Sequence, residues 1–74
     1  MKFLEYKQPH DTGDGVQILT VVQVKDKTYR ISEVRREHVS ETMIFDVGKD
    51  GSIDWVGMGR WDSTEGALQW LQKQ

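Results

Sequence analysis

Seventy-four residues with no cysteine give room for one small domain spanning 1–74, and exclude a disulfide scaffold or a thiolate zinc site. With 36% hydrophobic and 30% charged residues, the mixture is too apolar for a disordered chain and too polar for a membrane protein. Ten basic and twelve acidic side chains, net −2, supply neither the basic excess of a dedicated nucleic-acid binder nor the acidic excess of a nucleic-acid mimic.

Phe3 to Lys7 is short and aromatic and reads as a first strand, stopped by Pro9 and the turn-forming stretch His10-Asp11-Thr12-Gly13-Asp14-Gly15. From Val16 to Lys25 β-branched residues dominate. Val16, Ile18, Val22 and Val24 fall on one face, with Gln17, Leu19, Val21, Gln23 and Lys25 on the other. A tight connection at Asp26-Lys27 leads into a third strand, Thr28 toward Arg36, where Val34 breaks the parity of Tyr29 and Ile31 and predicts a bulge near Ser32 and Glu33. Helical spacing of Ile31, Val34, Arg35, His38 and Val39 competes with the strand there; the strand is retained.

Met43, Phe45 and Val47 then alternate with Ile44 and Asp46, and Gly48-Lys49-Asp50-Gly51 turns the chain into Ile53 through Trp61. On that last strand Val56 and Met58 are expected opposite Trp55 and Trp61, with Gly57 and Gly59 leaving gaps beside the tryptophans. The period changes at the C-terminus. Asp62 as N-cap with Glu65 three residues on predicts a helix whose apolar stripe is Ala67, Leu68 and Leu71, with Trp70 at its edge. The expected fold is α+β: an antiparallel meander of four or five strands covered on one face by the C-terminal helix.

Asp46 to Asp54 matches part of a calcium-loop template but has Gly48 at the third ligand position and Gly57 at the twelfth, so it reads as a hairpin turn. His10, Asp11 and Asp14 lie on one loop in a pattern too unspecific for a metal centre, and His38 between Glu37 and Glu41 reads as a surface turn. With no nucleophile motif and no phosphate loop, the expectation is a protein without catalysis, cofactor or metal. The basic residues Lys25, Lys27, Arg30, Arg35 and Arg36 allow weak nucleic-acid contact through the hairpin 25–36, which the interleaved Asp26, Glu33 and Glu37 offset.

Three tryptophans and two tyrosines exceed what a minimal core absorbs, so filling the helix–sheet seam competes with exposure as anchors. If the sheet keeps an open face, Tyr6, Tyr29, Arg30, Trp55 and Arg60 are its candidate protein-binding residues; which face is open is left undecided, because both faces of the second strand are apolar. No apolar run reaches the roughly 18 residues of a membrane span, and the N-terminus lacks the apolar stretch of a secretory signal. The expected location is cytoplasmic, with a protein partner, no membrane partner, and a homodimer as a further means of stabilising so small a core.

Met1-Lys2-Phe3-Leu4-Glu5-Tyr6 at the start and Trp61-Asp62-Ser63-Thr64-Glu65 followed by Trp70 at the end resemble the termini of small phage-encoded anti-CRISPR proteins of type I-F. The resemblance extends to chain length, an N-terminal strand, a meander and the helix opening; the hairpin Met43–Trp61 lies outside it. It implies an inhibitor without enzymatic activity that docks by its sheet onto the protein backbone of an RNA-guided surveillance complex and blocks target DNA. By position it carries over one contact, Tyr6.

Overall fold

Alternating β-branched and polar residues carry most of the chain through a sheet, and the computed structural model describes residues 1–56 and 60–74. Among them lie β1 (Lys2–Asp11), β2 (Gly15–Val24), β3 (Lys27–Arg36), β4 (Val39–Val47), β5 (Ile53–Trp55) and α1 (Thr64–Gln72). The strands pair antiparallel in the order β1-β2-β3-β4-β5 and α1 packs on one face, the α+β arrangement expected from the change of period. No described helix is long and apolar enough to cross a membrane.

The central ladder is unbroken, from Gly15↔Arg36 to Val24↔Lys27 and from Thr28↔Val47 to Arg36↔Val39. Residues 31–36 are therefore strand rather than helix, and the bulge expected near Ser32 and Glu33 is absent. The parity break at Val34 has another cause: Glu33, not an apolar residue, occupies the inward position next to Ile31. The tight connection is Lys25-Asp26, one residue earlier than expected, with Lys25 at φ +58°, the positive φ that two-residue hairpin loops require.

The irregularity lies in β1, which was expected to end before Pro9 and instead runs to Asp11. As an edge strand it pairs only with β2, so the donor missing at Pro9 need not break a ladder. Register shifts between Phe3 and Glu5 and between Glu5 and Gln8 bend the strand. Lys7 sits at φ +48° with its N–H donated to Thr20 Oγ1 at 3.1 Å. The β1–β2 loop shrinks to residues 12–14, and Gly15 passes so close to Arg35 that a Cβ would lie 2.2 Å from its carbonyl oxygen.

Val22, Ile31 and Ile44 project from the three central strands onto Ala67, Leu68 and Leu71 of α1, and these six form the buried core. Nine residues are too few for a helix to persist alone in water, so this apolar contact is what keeps α1 folded. Its N-cap is Ser63 rather than Asp62: Ser63 is extended and its Oγ accepts the Gly66 N–H at 3.1 Å. Glu65 pairs instead with Lys7 of β1.

A second acceptor comes from the sheet. Glu33 Oε1 accepts the Thr64 N–H at 2.7 Å and the Thr64 hydroxyl at 2.8 Å, while Oε2 accepts Arg35 Nε at 2.5 Å. The residue is 1% exposed. Burial alone would push its carboxyl up, but the hydrogen bonds from Thr64 and the Arg35 charge outweigh that and hold it below the ordinary value of 4.5. Beside it, across β3–β4, the buried Thr42 Oγ1 has no hydrogen-bond partner among the described residues.

Glu33→Ala strands two donors of Thr64 and is expected to cost about 2–3 kcal/mol in urea denaturation, against about 1 kcal/mol for Glu33→Gln. Because its folded pKa is depressed, the Glu33 contribution is complete above pH 4.5 and is lost as pH falls through the lower folded value; in Glu33→Gln that part of the acid dependence should vanish. Thr42→Val removes an unsatisfied hydroxyl from a strand and should raise stability by about 1 kcal/mol in the same measurement.

Candidate functional site

Residues facing one another across a ladder point to the same side, so the register defines the face that α1 leaves bare. One row across it reads Glu5, Val21, Arg30, Phe45, Trp55; its neighbours contribute Leu19 and Met43 on one side, and Val47 and Ile53 on the other. Aliphatic and aromatic side chains thus continue over β2 to β5 around one cation. The bent β1 raises a wall beside them and borders an open concavity of about 880 Å³, lined in part by Leu4, Tyr6, Val21, Arg30 and Ile53 and also by Glu5 and His10.

The sequence-based candidates divide between the two faces. Tyr6 stands on the wall, 49% exposed, with its ring edge-on to Phe3 at 4.9 Å and the Lys7 ammonium 5.6 Å from its centre. Trp55, 52% exposed, lies on the open face opposite Phe45. Arg60 borders that face: it is exposed, bonded to Glu41 at 3.2 Å, with its guanidinium carbon 6.0 Å from the Trp55 ring centre. Arg30 occupies the middle strand. Tyr29 is on the other side, packed against the buried core, so the structure removes it from the open-face set.

Trp55 and Trp61, expected to share a face, are on opposite ones. Regular pairing ends at Trp55, and the chain returns to β4 by a single bridge from Trp61 to Thr42, so parity is not carried between them. Trp61 packs under the helix against Trp70, ring centres 5.3 Å apart. The gaps expected at Gly57 and Gly59, and the position of Met58, lie outside the described residues.

Leu4, Leu19, Val21, Phe45 and Ile53 were not among the candidates, although the signal was present: β2 is apolar on both faces, and a helix with one apolar stripe covers only one. The basic residues of 25–36 do not converge. Arg35 turns to Glu33, Arg36 to Asp14 at 3.5 Å, and Arg30 faces the open side. Among the described residues no three His, Asp or Glu side chains gather as metal ligands. Asp11 accepts the Gly13 N–H, and Asp50 accepts the Ser52 N–H in a turn where Gly51 has φ +87°.

Opposite placement of the tryptophans makes a direct check. Trp61→Ala empties part of the helix–sheet seam and should cost about 3–4 kcal/mol in urea denaturation, whereas Trp55→Ala should cost less than about 1 kcal/mol. Comparison with protein-family models, with curated proteins and with solved structures found no match to this chain.

Proposed function

We propose that this chain is a small protein-binding module without catalytic activity, which acts by steric occlusion through its bare sheet face. One observation carries the reading: a contiguous apolar surface remains outside after the core between sheet and helix is complete. Ten-residue strands measure about 33 Å and five strands side by side about 20 Å, so in a molecule of 36 × 24 × 20 Å the sheet is the broad side. A sheet face of those dimensions has the scale of the roughly 800 Å² that each partner contributes to a standard interface, and contiguous apolar side chains left exposed on such a face are the mark of an interaction site.

Tyr6, Trp55 and Arg30 are the anchors of this surface, being of the residue types that dominate interface energetics. Of the ionisable side chains near it, Glu41 is engaged by Arg60, while Glu5 and His10 stand on the edge strand at the side of the concavity. The likeness of both chain ends to type I-F anti-CRISPR proteins makes the specific reading an inhibitor that covers the protein backbone of an RNA-guided surveillance complex. Its one transferable contact, Tyr6, is half exposed on the wall of the concavity, which agrees with that role.

The test is co-elution of the purified chain with a type I-F surveillance complex, followed by a gel shift with target DNA. Complex formation with loss of DNA binding is expected, and Tyr6→Ala and Trp55→Ala should each weaken it by about tenfold. No co-elution overturns the inhibitor assignment. Binding that neither substitution changes overturns the assignment of the face.

A further inference from the structure

Arg30 differs from the other three arginines of the chain. Arg35 has Glu33, Arg36 has Asp14 and Arg60 has Glu41, whereas among the described residues no carboxylate lies within ion-pair distance of Arg30 and its guanidinium makes no hydrogen bond. It is nevertheless half-buried, at the centre of the sheet, between Val21 on β2 and Phe45 on β4, and it lines the concavity. A guanidinium offers five donors and no acceptor. Covering it with an apolar partner would desolvate those donors without compensation, at a cost that a facing carboxylate removes through paired, charge-assisted hydrogen bonds.

Building on the docking reading above, we infer that the partner presents an Asp or Glu side chain flanked by apolar residues, and that this carboxylate seats on Arg30 while its neighbours fill the concavity. A second copy of the chain fits less well. A two-fold axis through the middle strand sets Arg30 against Arg30, and Glu5, the carboxylate that lines the same concavity, lies two strands away on β1. A nucleic-acid backbone would want further cations beside Arg30, where the adjacent side chains are Val21, Phe45, Leu19 and Val47.

The experiment pans a random peptide library against the immobilised full chain and measures the selected peptides by fluorescence anisotropy against wild type, Arg30→Met, Arg30→Glu, Tyr6→Ala and Phe45→Ala. Each peptide is expected to carry an acidic residue whose change to Asn or Gln weakens binding by about tenfold or more. Arg30→Met should lose a similar factor, and changing the peptide's acid to Arg should restore binding to Arg30→Glu. The peptide-side change reports on the ion pair even if an Arg30 variant is destabilised.

Peptides that depend on Tyr6 and Phe45 yet ignore both Arg30 and their own carboxylates overturn this inference and leave the docking face standing. Peptides indifferent to all four variants, or no selected peptide, overturn the docking face with it. A dimer in sedimentation that Arg30→Glu dissolves reassigns Arg30 to a second copy, and salt-sensitive binding of a single-stranded oligonucleotide that requires Arg30 reassigns it to phosphate; either result overturns the acidic-segment proposal.

Discussion

The carboxylate of Glu33, buried on the middle strand and hydrogen-bonded to the first N–H and hydroxyl of α1, fixes where the helix sits and therefore which half of the sheet remains bare. Apolar contact alone is non-directional: Ala67, Leu68 and Leu71 would be satisfied by several placements over Val22, Ile31 and Ile44. Two directed hydrogen bonds leave one. The acceptor also stands at the positive end of the helix, where a negative charge is favoured and where free N–H groups need partners. Ser63 from the chain itself and Glu33 from the sheet thus satisfy different donors of the same first turn.

Once one face is covered, no helix among the described residues is left to cover the other. The five-stranded sheet carries aliphatic and aromatic residues on both sides, and the described part of the chain contains one helix of nine residues. Sheet edges are the usual alternative for association, and here both are blunted. β1 is bent by two register shifts and carries Pro9, while β5 is three residues long. Strand addition is disfavoured at either side, which turns attention to the face. The bending of β1 has a second effect, because it lifts Leu4 and Tyr6 into the wall that makes the face concave.

Charge is distributed with the same asymmetry. Around the rim and on the covered side, cations meet carboxylates: Lys7 with Glu65, Arg35 with Glu33, Arg36 with Asp14, Arg60 with Glu41. Apart from the buried Glu33, these are exposed groups whose pairing contributes little to stability, but the pairs leave Arg30 as the arginine without a described partner, amid apolar neighbours where electrostatic complementarity would decide which surface can dock.

The sequence by itself determined the strands at Val16–Lys25 and Thr28–Arg36, the hairpin through Gly48–Gly51, the helix with its stripe of Ala67, Leu68 and Leu71, and hence the fold class, because side-chain period is a local property. It also offered Tyr6, Tyr29, Arg30, Trp55 and Arg60 as candidate anchors for a partner. Which of them share a surface was decided only by tertiary structure. Parity separates two positions reliably only along an uninterrupted ladder, so Trp55 and Trp61, whose ladder is interrupted, came apart; on the unbroken ladder parity sets Tyr29 on the face opposite Arg30, and helix packing decided which of the two was covered. The role of Glu33 was equally hidden: an acidic residue in a strand looks like solvent-facing surface until a helix thirty-one residues away in the chain brings Thr64 to it. Contacts at that separation depend on how elements pack, and packing is not written in the spacing of neighbouring residues.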